Sequence, residues 1–242
     1  MIRKTIQHAV GWLLEATDDM LGLVYPRLCA ACGKEQVPRT SCLCISCRLQ
    51  LPFTDYHLVP ENGMTLRLKG RFPIVAATAL LYFVKDSPVQ DLLHRIKYQG
   101  QQQAAVDLGK LYGSMLKEQA LWQHIDFIIP VPLHPSRMHH RGFNQSAAFA
   151  RGLGETMSCK VLENGLKRTR ATATQTHMNR RERLDNTSNA FVVTKPEILI
   201  GKHLLLVDDV MTTGATLEAC AIPLLALEGV HISLATIAIA QE

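Results

Sequence analysis

Apolar residues recur along this chain at two spacings, and the places where the runs stop carry its polar chemistry. The clearest run is Leu204, Leu205, Leu206 and Val207, which suits a strand buried on both faces. It ends at Asp208 and Asp209, and Val210, Met211, Thr212, Thr213, Gly214, Ala215 and Thr216 then turn into a helix. Further strands are predicted within residues 73–84, at Phe127, Ile128 and Ile129, at Phe191, Val192 and Val193, and over residues 232–239. Val89, Leu92, Leu93 and Ile96 fall at helical spacing behind Ser87 and Pro88, an N-cap and first-position pair, and Gly100 closes that helix. A second helix is predicted over residues 102–121, with Ala105, Leu108, Leu111, Leu116 and Trp122 inward. A third opens at Gly142, Phe143, Asn144 and Gln145, and a last one runs over residues 216–228. Pro223 is expected to kink or shorten that last helix, and Gly229 suits its C-terminal cap. Residues 166–186 are rich in Arg and Thr and poor in apolar residues, and read as an exposed loop.

Strands alternating with helices make this an α/β chain with a mainly parallel sheet. Its 242 residues, 47% hydrophobic, suffice for one good core and a small appendage. The net charge of +5 is unevenly spread. Between Arg137 and Arg183 there are ten Lys or Arg against three Glu, so this segment supplies the whole basic excess. No run approaches the ~18 apolar residues a membrane span needs, so no membrane insertion is expected. Arg3 and Lys4 precede Ile6, Val10, Trp12, Leu13 and Leu14, but Glu15, Asp18 and Asp19 interrupt too soon for a secretory signal. An amphipathic helix and a cytoplasmic location are the expectation.

Five of the seven cysteines lie between residues 29 and 47. Cys29 and Cys32 form one Cys-x-x-Cys knuckle, Cys44 and Cys47 a second, and Cys42 is an additional thiol. Two knuckles this close in an intracellular chain read as a four-thiolate structural zinc site, whose metal supplies folding energy that so short a segment lacks. Gly33 eases the first knuckle. A redox role, with Cys42 competing with Cys44, is the alternative. Cys159 and Cys220 read as buried apolar residues.

The segment from Asp208 to Thr216 suits a phosphorylated ribose. Backbone N–H groups near Gly214 and Ala215, at a helix start, favour an anion, and the hydroxyls of Thr212, Thr213 and Thr216 add donors. Asp208 and Asp209 suit vicinal ribose hydroxyls, directly or through magnesium. An Asp-Asp pair alone is ordinary at a strand end; the whole string is not. In a doubly wound sheet the turn from Pro130 through Leu133, His134 and Arg137 faces the Asp208 turn across the strand ends. Arg137 and Arg141 then meet the diphosphate end of the ligand. His139 and His140 are candidate ligands or bases, or simply solvated. No Gly-x-x-x-x-Gly-Lys-Ser/Thr pattern occurs, which argues against a P-loop nucleoside triphosphatase.

The string from Asp208 to Thr216 resembles the phosphoribosyl pyrophosphate (PRPP) signature of type I phosphoribosyltransferases. With the double knuckle, Lys97-Tyr98-Gln99-Gly100, Pro130 to His134, Arg141 to Gln145, and the region from Arg168 to Arg183, the chain resembles the ComF/GntX family from about Tyr25 onward. Cys42 and Pro223 depart from that pattern. The resemblance implies a type I phosphoribosyltransferase fold over residues 53–242, a twisted, mainly parallel sheet flanked by helices. A small N-terminal helix and zinc ribbon would occupy residues 1–52. It implies PRPP and magnesium at Asp208 to Thr216, with Leu133 and His134 beside them, and a role in natural transformation. Three functions follow. One is handling of incoming single-stranded DNA by a PRPP-binding protein, with Arg141, Arg168, Arg170, Arg180, Arg181 and Arg183 on the DNA phosphates. Another is a magnesium-PRPP-dependent transferase acting on a small acceptor, in which Asp208, Asp209, Arg137, Arg141 and Arg168 serve catalysis. The third is a zinc-ribbon adaptor for a DNA-uptake helicase or processing protein.

Overall fold

The computed structural model describes residues 26–38, 41–169 and 190–241, which form two compact units, one closing at Gln50 and the other starting at Leu51.

In the first unit the chain doubles back at the knuckles. Leu28 bridges Gln36 in antiparallel fashion, the Cys29 amide donates to the Glu35 carbonyl at 2.7 Å, and Gly33 turns with φ +65°. Among the described residues of this unit, one short helix, α1 (Ile45–Gln50), starts inside the second knuckle and carries Cys47.

The second unit is built on a five-stranded parallel sheet. Its strands are β1 (Ala76–Phe83), β2 (Phe127–Pro130), β3 (Lys160–Val161), β6 (His203–Met211) and β7 (His231–Ala240), in the order β1-β7-β6-β2-β3. The remaining strands, β4 (Leu166–Arg168) and β5 (Phe191–Val193), pair antiparallel in a separate ribbon. Helix α2 (Gly63–Leu68) precedes the sheet, and α3 (Pro88–Tyr98) and α4 (Gln102–Lys117) join β1 to β2. Next come α5 (Pro135–Arg141) and α6 (Gln145–Met157), and α7 (Ala215–Leu225) links β6 to β7.

Strand β7, between β1 and β6, is buried along nearly its whole length, as expected of a parallel sheet covered on both sides. Ala77, Ala79, Leu204, Leu206, Ile232 and Leu234 pack with Met64 and Leu68 of α2 and Leu217 and Leu224 of α7. On the other face, Thr78 meets the buried hydroxyl of Tyr112 in α4. There α4 and α6 approach to backbone contact. A Cβ on Gly109 would lie 2.2 Å from the Phe149 carbonyl oxygen, and one on Gly152 would lie 2.0 Å from that of Val106.

Asn62 anchors α2. Its Oδ1 accepts from the Met64 and Thr65 amides (2.9 and 3.2 Å), and its Nδ2 donates to the carbonyls of Val59 and Ala77 at 2.8 Å. The Thr65 hydroxyl accepts from the Asn62 amide, completing a capping box that also ties the helix to β1.

Several expectations need correction. Strand β6 does not stop at the acids but runs on to Met211, because β7 goes on pairing with Val210 and Met211. Residues 166–168 are a strand, with Leu166 buried, not the start of an exposed loop. Residues 135–141 form a short helix where a turn was expected. Gly229 is not the cap of α7: that helix caps at Ala226, and Gly229 turns with φ +66° before β7. Residues 1–25 and 170–189 lie outside the described residues, so the N-terminal helix and most of the predicted loop do as well.

Candidate functional site

The sheet order fixes where an opening arises. From β2 the chain leaves through α5 and α6 toward β3, whereas from β6 it leaves through α7 toward β7 on the opposite side. Connections that diverge from neighbouring strands leave a crevice beyond their carboxyl ends. A cavity of about 620 Å³ lies there, lined by Val131, Pro132 and Leu133 after β2 and by Asp208, Asp209, Val210, Thr212 and Thr216 from β6 onward. Phe83, Gln90, Leu93, His94, Lys97 and Tyr98 form a third side, and Arg137, Arg141 and Arg168 complete the wall.

Asp208 is positioned by two donors. Ser146 at the start of α6 gives its hydroxyl to Oδ1 at 2.9 Å, and the Asp209 amide donates to the same oxygen at 2.8 Å. Ser146 is itself held by Asn144, the buried N-cap of α6. Asn144 accepts from the Ser146 amide at 3.0 Å and donates to the Val131 carbonyl at 2.9 Å, tying the two cavity-lining turns together. Asp209 is paired with Lys97 of α3, Nζ to Oδ2 at 3.0 Å. Burial pushes the Asp208 carboxyl up to about 7, and the neighbouring charge of Asp209 adds to the effect. Arg168 is pushed the other way, first by burial and then by the like charge of Arg137. Two cations held close enough to oppose one another's charge suit a polyanion between them.

The turn after β6 has a geometry that its motif does not spell out. Gly214 caps α7 in the left-handed region at φ +77°, and a Cβ there would meet Leu68 Cδ2 at 2.7 Å. Arg71, just after α2, donates to the Thr213 carbonyl and grips Glu218 of α7, Nε to Oε2 at 3.1 Å with a second bond from Nη2. Thr212, Thr213, Ala215 and Thr216 stay exposed. The turn is therefore braced from behind and open in front.

Of the expected ligand positions, Asp208, Asp209, Val210, Thr212, Thr216, Leu133, Arg137, Arg141 and Arg168 line one cavity. Met211, Thr213, Gly214 and Ala215 do not, and the Met211 side chain is buried in the core with Met64 and Leu68. His134 caps α5, its Nδ1 accepting from the Ser136 amide at 3.3 Å, and is not a lining residue. Arg170, Arg180, Arg181 and Arg183 lie outside the described residues. Ser146 and Arg71 were missed as site residues. Ser146 has a local signal, two positions after an N-cap Asn, while Arg71 has none, since its partners lie more than 140 positions away.

In the knuckle unit, the thiols of Cys29, Cys32, Cys44 and Cys47 lie within 4.8 Å of one another, with Cys32 and Cys44 4.0 Å apart. Sulfurs around one zinc ion at ~2.3 Å sit roughly 3.8 Å apart, so the set fits a tetrahedral ion. The Cys44 amide approaches Cys29 Sγ at 3.3 Å, and the Cys47 amide approaches Cys44 Sγ at 3.4 Å, the donors a thiolate needs. Backbone N–H groups of Glu35 and Lys34 lower Cys32 to about 6, while burial pushes Cys47 up. Cys42 is buried outside the cluster.

Residues 145–241 match the phosphoribosyl transferase domain model. DNA utilization protein YhgH of Salmonella typhimurium is 36% identical over 137 residues, 55% of this chain and 60% of that protein. Competence protein F of Haemophilus influenzae is 33% identical over 136 residues, 54% and 59% of the two chains. Competence protein ComFC of Streptococcus pneumoniae is 28% identical over 219 residues, 89% and 86%. The chain is similar to these competence and DNA utilization proteins. Its matches to the first two of these relatives span about three fifths of their length. The match to the Streptococcus protein takes in 89% of the chain and so spans both sides of the cavity.

Two outcomes follow. Asp208 keeps its proton in the folded chain over a pH range in which the unfolded chain has lost it. Its contribution to stability is therefore full below about pH 4 and lost as the pH rises through about 7. Asp208→Asn, which mimics the protonated form, should match the parent melting temperature at about pH 4 or below and exceed it by several degrees at pH 8, measured by scanning calorimetry. A pH-independent difference would contradict the assignment. Cys44→Ser should lose most of the zinc measured by atomic absorption and destabilise the knuckle unit, whereas Cys42→Ser should retain it.

Proposed function

We propose that the cavity beyond β2 and β6 binds PRPP with magnesium, and that the protein acts in handling incoming single-stranded DNA in the cytoplasm during natural transformation. The observation that carries the reading is the meeting, in one cavity, of an acid pair at a strand end, a threonine-bearing turn at a helix start, and three arginines. A polyphosphorylated pentose asks for that combination: anion donors for the 5-phosphate, acceptors for vicinal hydroxyls, and fixed positive charge for a diphosphate. Thr212, Thr216 and the amides after Gly214 would take the 5-phosphate. Asp208 and Asp209 would face the ribose hydroxyls and hold magnesium, which supplies charge neutralisation on the diphosphate. Arg137 and Arg168 flank the diphosphate side. The names of the Salmonella and Haemophilus relatives, a DNA utilization protein and a competence protein, support the cellular role.

A second reading is an active transferase for a small acceptor. It is favoured by the arginines, since cations set around a leaving diphosphate stabilise the charge that develops as its bond to the anomeric carbon breaks.

Calorimetry with PRPP and magnesium should give saturable binding, and Asp208→Ala/Asp209→Ala should weaken it at least about ten-fold. A parent protein that binds no PRPP refutes the cavity assignment. Retardation of single-stranded DNA should fall steeply between low and physiological salt, as phosphate contacts require; salt-insensitive binding, or none, refutes the DNA role.

A further inference from the structure

The acid pair and the arginines account for the polar walls of the cavity, but not for what stands beside them at the end of α3. Tyr98 lines the cavity and is 52% exposed, although it is a large aromatic residue. It is also firmly placed. His94, one helical turn earlier, lies with its ring centroid 4.9 Å from that of Tyr98, and His140 of α5 meets it edge-on at 6.2 Å. The Arg141 guanidinium sits over the Tyr98 ring, 5.5 Å from its centroid, and is itself fixed by Gln145 Oε1 at 2.9 Å. Helix α3 reaches the acids through the adjacent residue, Lys97, so shelf and acid pair are registered by one helical turn.

Packing alone does not account for this arrangement, because a tyrosine held by three neighbours gains nothing from leaving half of its surface in water. Tyr98 leaves half of its aromatic, polarisable side chain open beside the Arg141 guanidinium, with the apolar Leu93 and Leu133 lining the same cavity. Such a surface takes a flat, electron-rich heterocycle in preference to an aliphatic or a purely anionic group.

We infer that Tyr98, with His94 and Arg141, is a stacking shelf for a nucleobase. The base is taken either from a free nucleotide or from a single strand whose phosphates run along the arginine side. The inference rests on the reading that the cavity holds a phosphorylated pentose, beside which the shelf would set the base.

The test uses the full chain and Tyr98→Ala and Tyr98→Phe variants, with folding checked by melting temperature. Fluorescence anisotropy compares an oligothymidylate with an abasic oligomer of equal length and charge. Calorimetry compares adenosine 5′-monophosphate with ribose 5-phosphate, and PRPP with magnesium is titrated in parallel. The parent should bind the base-bearing member of at least one pair more tightly. Tyr98→Ala should weaken that member about ten-fold, leaving its base-free partner and PRPP unchanged, and Tyr98→Phe should behave as the parent. Discrimination in the oligomer pair alone identifies a single strand as the source; discrimination in the monomer pair identifies a free nucleotide. No discrimination by the parent, or equal losses on base-bearing and base-free probes in Tyr98→Ala, overturns the shelf. PRPP binding that persists in that case leaves the cavity reading standing, whereas absent PRPP binding with intact base discrimination removes the cavity reading alone.

Discussion

Asp208 sits where the buried stretch of β6 opens onto the cavity, and its partial burial makes a carboxylate costlier there than in water. The protein answers with donors: a serine hydroxyl from α6 and the next amide of its own strand. Because Ser146 is fixed by Asn144, and Asn144 by the Val131 carbonyl, holding this one carboxyl also fixes the spacing between the turn after β2 and the turn after β6. A crevice that topology merely permits is thereby given a set width. Lys97 and Arg71 then secure its two remaining sides, one by pairing with Asp209 and the other by bracing the turn at Thr213 from behind.

Much of this was legible in the chain. Continuous apolar runs located the central strands, since a parallel strand covered on both faces has no polar alternation to obscure it. Ser87 and Pro88 announced α3, and the knuckle spacing picked out four thiols that do converge. The opposed turns followed from the rule that ligands gather where connections diverge. What could not be read was whatever depends on a partner remote in sequence. A pair of acids reads as the end of a strand, yet β7 goes on pairing past them and carries β6 as far as Met211, whose side chain turns into the core. Residues 166–168 look polar because two of the three are basic. Their strand stands on the burial of Leu166 and on Phe191, which lies under the Arg168 guanidinium at 5.3 Å. Arg71 belongs to no motif; only the fold brings it behind the phosphate-type turn.

The knuckle unit follows a different economy. Its few described residues bury little apolar surface, and the convergence of Cys29, Cys32, Cys44 and Cys47 is its main organising feature. A unit of this size is constrained chiefly where its four thiols converge, whereas the sheet unit is constrained along whole strands.

The backbone contact between α4 and α6 makes the back of the molecule part of its front. Helix α6 begins with the serine that steadies Asp208, and at mid-length it touches α4 through Gly152, with no room for a methyl group. A bulkier residue at that crossing would lever α6 outward and slacken the crevice from a point outside the cavity lining. Genetic lesions that abolish activity therefore need not outline a binding surface in this architecture. A map of impaired variants would trace the lever as well as the pocket it supports.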